Sequence, residues 1–136
     1  MALSKRQTRA SPRPSVDGRE LAARAARTVA ELKALDVKVL DVGALTDVMD
    51  YMVLATGQSD RHLRALAIAL EELLDELGRT LVGREGEDRS GWIVIDAGDV
   101  VVHLLNRALR AYYDIDGLWA DAAVEPFAEP GQEVAE

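Results

Sequence analysis

The chain of 136 residues contains no cysteine. Disulfides, thiolate zinc sites and cysteine nucleophiles are therefore excluded. It also lacks an apolar run near the ~20 residues that span a bilayer. The opening stretch, MALSKRQTRASPRPSV, has charge but no apolar centre, so it does not read as a secretory signal. With no export signal, the expected compartment is the cytoplasm, with no membrane partner. Basic charge is in short supply, and the net charge is −8. Residues 1–16 carry four bases and no acid, while residues 125–136 carry four acids and no base. The stretch 17–124 then holds 12 basic and 20 acidic groups. A body of that sign repels phosphate backbones and suits a basic protein partner. Little direct nucleic-acid binding is expected, except through the basic N-terminal tail.

What is present reads as one domain between two tails. Residues 1–16 read as a disordered basic tail, 17–123 as a single folded domain, and 124–136 as a solvated, disordered acidic tail. Asp17 and Glu20 resemble a capping box, and apolar residues at helical spacing predict a helix over 18–35. VKVLDV (37–42) and the apolar run YMVLAT (51–56) predict strands. Ser59 makes a good N-cap for a helix over 60–77, with Gly78 at its C′ position. RTLVGR, WIVID and VVVHLL predict three more strands, and residues 107–113 a last helix. The order is α-β-β-α-β-β-β-α. It predicts a mixed sheet of about five strands with flanking helices, in the α/β or α+β range.

The stretch SGWIVIDAGDVVVHLL (90–105) concentrates the candidate chemistry. A hairpin turning at Ala97 and Gly98 would set Asp96 opposite Asp99, Ile95 opposite Val100 and Trp92 opposite His103. One face would then be apolar (Ile93, Ile95, Val100, Val102). The other would carry Trp92, Val94, Asp96, Asp99, Val101 and His103. Opposed like charges cost roughly 0.2–1 kcal/mol, and such broken local rules tend to mark functional sites. At ~3.3 Å per residue, aspartate and histidine would lie roughly ten ångströms or more apart. That is too far to close on one metal ion or to share a proton. Two readings stay open. His103 is either a satisfied sheet histidine packed on Trp92, or part of a protein-docking face in which Trp92 anchors and the acids meet partner cations.

Other motifs read plainly. TGQSDRHL joins a strand to a helix N-terminus, but with one glycine and no following lysine it reads as ordinary capping rather than a phosphate site. REGEDRSG is a solvated loop that would lend Glu85, Glu87 and Asp88 to the rim of a docking face. Tyr113 and Trp119 read first as closure of the core by the C-terminal helix. The alanines of the first helix would permit a close helix pair, so a second copy of the chain is a further candidate partner, though alanines are also just good helix formers.

Four segments in order, TDVMDYMVLATGQSDRHLRALA, GREG, GWIVIDAGDVVVHLL and RAYYDIDGLWADA, resemble the ribosomal silencing factors, also called Iojap-like proteins. The likeness covers roughly residues 18–123. Val48 and Met49 lengthen the approach to Asp50 and Tyr51, and Met52 stands where the family often has phenylalanine. The resemblance implies a nucleotidyltransferase-like fold, no enzymatic activity and no cofactor. It also implies binding to the large ribosomal subunit through its ribosomal protein fourteen, which blocks joining of the small subunit when nutrients are short. The family's motif residues fall at Asp50, Tyr51, Gly57, Ser59, Gly86, Trp92, Asp96, His103, Tyr113 and Trp119. Active nucleotidyltransferases place an Asp-x-Asp after a Gly-Ser turn. Here RHL follows TGQSD, and Asp96 and Asp99 have two residues between them, so two-metal chemistry lacks its ligands. Combined with the face analysis, the expected partner-binding set is Tyr51, Glu85, Trp92, Asp96, Asp99, His103, Tyr113 and Trp119. The alternatives are a nucleotidyltransferase-like enzyme with unusual acids, or an adaptor for another basic protein.

Overall fold

The computed structural model describes residues 16–87 and 89–131. The expected basic tail thus lies, but for Val16, outside the described residues, as do Asp88 and the end of the acidic tail. Ten elements follow in order: α1 (Gly18–Glu31), β1 (Leu35–Asp41), β2 (Tyr51–Gly57), α2 (Asp60–Glu76), β3 (Gly83–Glu85), β4 (Trp92–Asp96), β5 (Val100–Asn106), α3 (Arg107–Tyr112), α4 (Ile115–Leu118) and β6 (Ala123–Glu125). The strands make one mixed sheet in the order β3-β4-β5-β2-β1-β6. Among the described residues only β2 and β5 pair in parallel, the other pairs being antiparallel, and α2 lies on the crossover between them.

Local chemistry sets the element ends. The Asp17 carboxylate caps α1 by accepting from Glu20 N–H at 2.9 Å, and Ser59 caps α2 by accepting from His62 N–H at 3.0 Å. Gly78, at φ +70°, ends α2 as expected. The first helix stops at Glu31 rather than 35. Lys33 turns left-handed (φ +74°) and Ala34 N–H reaches back to Val29 O at 3.0 Å, which frees Leu35 to begin β1. The expected strand over RTLVGR forms only at Gly83–Glu85, whose first residue already pairs with Asp96, the last of β4, while Arg79 binds Asp99 and the Val16 carbonyl.

Two further differences bear on function. The described residues hold six strands rather than five. The strand Ala123–Glu125, whose last two residues were assigned from sequence to a solvated tail, pairs with β1 (Leu40 with Val124), and Phe127 packs against the core. In the β4–β5 hairpin the turn sits at Gly98 and Asp99, one residue beyond the expected pair. Ala97 N–H bonds Val100 O at 2.9 Å, Gly98 takes φ +93°, and Asp96 Oδ1 accepts from Gly98 N–H at 2.8 Å. A two-residue turn of this kind wants positive φ at its first central position, which glycine adopts freely and alanine does not. The register therefore shifts by two: Trp92 faces Leu105, Val94 faces His103 and Asp96 faces Val101. A shift of two preserves which side each residue points to. Only Asp99 leaves the ladder, so Asp96 and Asp99 do not oppose each other.

The sheet separates two apolar clusters. Beneath α1 and α2 lies the larger, with Val53, Ala55, Ile93, Ile95, Val102 and Leu104 among its members. On the other side a smaller cluster gathers Leu40, Met52, Leu54, Leu105 and Ile115, with Trp92, Leu109 and Trp119 against it. Among the described residues, no helix is long and apolar enough to cross a membrane.

A candidate docking face

The far side of the sheet from α1 and α2 is covered at one end by the chain's last turns and open at the other. A clasp of charges holds the cover down. Arg110, at the buried end of α3, donates from Nε to Asp116 Oδ2 at 2.8 Å and from Nη2 to Asp116 Oδ1 at 2.9 Å. Its Nη1 donates to the Asp36 carbonyl at 2.8 Å and to Thr56 Oγ1 at 3.0 Å. Lys38 Nζ closes on Asp116 Oδ1 at 2.7 Å. The hydrogen bonds from Arg110 hold the Asp116 carboxyl well below the usual carboxylate range, and Lys38 adds to the effect. This joins α3 and α4 to β1 and β2, and so fixes where Tyr112 and Tyr113 stand.

Those tyrosines complete a row of rings. His103 lies 5.9 Å from Trp92 between ring centroids, Trp92 lies 5.3 Å from Tyr113, and Tyr113 meets Tyr112 edge-on at 4.9 Å. The Trp92 indole N–H donates to His103 Nδ1 at 3.0 Å. Burial lowers the His103 pKa from its ordinary value. The row runs from half-buried at the sheet to open at the helix, where Tyr113 is 50% and Tyr112 77% exposed. Glu85, opposite Val94 on β3, and Asp96 on β4 share the face. Gly86 lets β3 lie this close, since a Cβ there would fall 2.1 Å from the Trp92 carbonyl oxygen.

Of the eight residues expected at the site, the structure brings together five: Glu85, Trp92, Asp96, His103 and Tyr113. Tyr51 packs instead with the α1–α2 cluster on the opposite side. Asp99 sits in the hairpin turn, paired with Arg79 and close against Gly18, while its carbonyl accepts from Asp50 and Tyr51 N–H. Trp119 packs against the smaller cluster. Sequence reasoning missed Tyr112, for which adjacency to Tyr113 was the available signal. It also missed Arg110 and Asp116, which lie six residues apart and on different helices. Among the described residues, no group of three or more histidine, aspartate and glutamate side chains could hold a metal ion. The face offers four rings and two carboxylates, residue types that recur at protein interfaces and their rims.

A family model described as "Ribosomal silencing factor during starvation" matches residues 15–136. A curated Ribosomal silencing factor RsfS of Chromobacterium violaceum is 41% identical over 100 residues, which is 74% of this chain and 82% of that protein. A crystal structure of a protein from the same species superposes with a TM-score of 0.74 at 36% identity, over 88% of this chain and 95% of the other. The mouse protein named "Mitochondrial assembly of ribosomal large subunit protein 1" is 33% identical over 89 residues, which is 63% of this chain and 39% of that protein.

Proposed function

The chain belongs to the ribosomal silencing factor family, and from that premise we propose that it binds the large ribosomal subunit through its ribosomal protein fourteen. Seated there, it keeps the small subunit from joining and lowers translation in the cytoplasm. The action is occlusion, with no bond made or broken. The observation that carries this reading is the Trp92–His103–Tyr113 row flanked by Glu85 and Asp96 on the one side of the sheet that short helices leave open. Tryptophan and tyrosine are favoured interface anchors. Carboxylates at the rim steer a cationic partner and add little to final affinity. A patch burying about 1,200–2,000 Å² in total suffices for a specific complex.

Co-sedimentation with isolated large subunits tests it. Wild-type protein is expected to pellet with them, and Tyr113→Ala to bind about tenfold or more weakly, the range of an interface anchor. Tyr113 is half exposed, so its loss leaves the fold in place. Equal binding by both proteins would show that another face docks. No binding by the wild type would sink the partner itself.

A further inference from the structure

We propose that His103 gates the docking face by its charge: the face keeps one fixed shape while the imidazole is neutral, and protonating the ring releases Trp92 and weakens docking on a cationic partner. This rests on the reading just given, that the Trp92 face meets a basic protein surface.

Indole nitrogen can only donate. The single indole hydrogen of Trp92 goes to Nδ1 of His103, so that nitrogen must offer a lone pair. The ring proton then sits on Nε2, the neutral tautomer. An imidazolium carries hydrogen on both nitrogens. Its Nδ1–H would point at the Trp92 N–H, donor against donor, and one ring would have to leave. Trp92 is the middle of the row, in contact with His103 on one side and Tyr113 on the other. Its displacement therefore reaches the two exposed tyrosines.

The cross-strand neighbours of His103 are apolar. Val94 faces it from β4 and Leu54 from β2. Along β5 its same-side neighbours are Val101 and Leu105. The register places three ionisable side chains elsewhere on this face: Glu85 beyond Val94, Asp96 further along β4, and Lys38 beyond Leu54, which is held by Asp116. The covering helix α3 carries exposed Arg107, Arg110 engaged with Asp116, and at its end Tyr112 and Tyr113. Desolvation is what holds the His103 pKa down, and a partner laid over the ring removes more water. Docking then lowers the pKa further. Affinity is full above the free protein's value and falls as pH drops below it, about tenfold for each unit by which docking deepens the shift. Repulsion between the imidazolium and a basic partner acts in the same direction.

Proton–nitrogen NMR of the two indole N–H signals reads the gate in the free protein. The Trp92 signal, assigned by its loss in Trp92→Phe, is expected to titrate below about pH 6.5. The Trp119 signal should hold. In His103→Gln, whose amide oxygen accepts the indole hydrogen without titrating, the Trp92 signal should stay still. Binding to large subunits should weaken a few-fold between about pH 8 and about pH 5.5 in the wild type and much less in the variant. A Trp92 signal that moves only when Trp119 moves overturns the gate whatever the partner is, and the wild type alone decides this. A titrating signal with equal pH dependence of binding in both proteins also overturns it. A titrating signal in a protein that binds no large subunit at either pH overturns the partner reading instead, and the gate's control of docking with it.

Discussion

The two sides of the sheet use similar strand residues and end in different states. On the side of α1 and α2, Val53, Ala55, Ile93, Ile95, Val100, Val102 and Leu104 are at most 4% exposed. On the other side Met52, Leu54 and Leu105 are as deeply buried, yet Val94, Val101 and His103 are only half covered. Helix length accounts for the difference. The first side lies under helices of 14 and 17 residues, the second under helices of 6 and 4. At 1.5 Å per residue, six residues reach about 9 Å, well short of a seven-residue strand. Two long amphipathic helices make the fold. The space the short ones leave is where a partner can add the missing cover.

The largest expected effect comes from cutting into the sealed side. Ile93→Ala should cost about 2–5 kcal/mol in chemical denaturation, the usual loss for an aliphatic side chain truncated in a packed core. Val94→Ala, one residue along and pointing the other way, should cost less, about 1 kcal/mol, since its site is partly open to water. Equal losses would mean that the two sides are equally packed, and the contrast would fail.

The clasp comes next, because it ties the short helices down over the second side. Arg110→Ala should cost about 2–3 kcal/mol: it strands the Thr56 hydroxyl and the Asp36 carbonyl and leaves Asp116 with Lys38 only. Asp116 is partly exposed, so the loss stays below that of a fully buried pair. The sign of the acid response follows from the depressed pKa of Asp116. Its contribution is present above the unfolded-state value of about 4 and is lost as pH falls through the lower folded-state value. Wild-type protein should therefore lose stability below about pH 4 more steeply than Asp116→Asn. Parallel acid curves would show that the clasp carries no weight.

How far each side could be read in advance divides along the same line. Alternation marked Ile93, Ile95, Val100 and Val102 as interior, and the period-two pattern survived a register error of two residues, since such a slip keeps every side chain on its own side. The six-strand sheet is nearly the mixed sheet that the element order implied. What stayed hidden depends on contacts between distant parts of the chain. Ala123–Glu125 has no strand signal of its own and becomes one by pairing with Val39, Leu40 and Asp41. Arg110 and Asp116 show no helical spacing, because a left-handed residue, Asp114 (φ +49°), turns the chain between them. Tyr51 was assigned to the site from its family motif, yet strand parity sends it to the helix-covered side. Trp92, Asp96 and His103 were legible as a shared face, whereas the hydrogen bond between Trp92 and His103 was not.

The smallest effect separates the two sides by charge alone. Glu71 on α2 pairs with Arg84 at 3.0 Å on the covered side, and Glu85 points to the open one. Both are surface carboxylates, so Glu71→Gln and Glu85→Gln should each change stability by less than about 1 kcal/mol. Their effects on association should differ. If a cationic partner approaches the open side, Glu85→Gln slows association a few-fold at low salt and flattens its salt dependence, because rim charges act mainly on encounter. Glu71→Gln, facing away, leaves both unchanged. Stopped-flow association with large subunits at two salt concentrations resolves the pair. The reverse ranking would place the approach on the helix side, and the rings of the open side would then serve only to hold α3 in place.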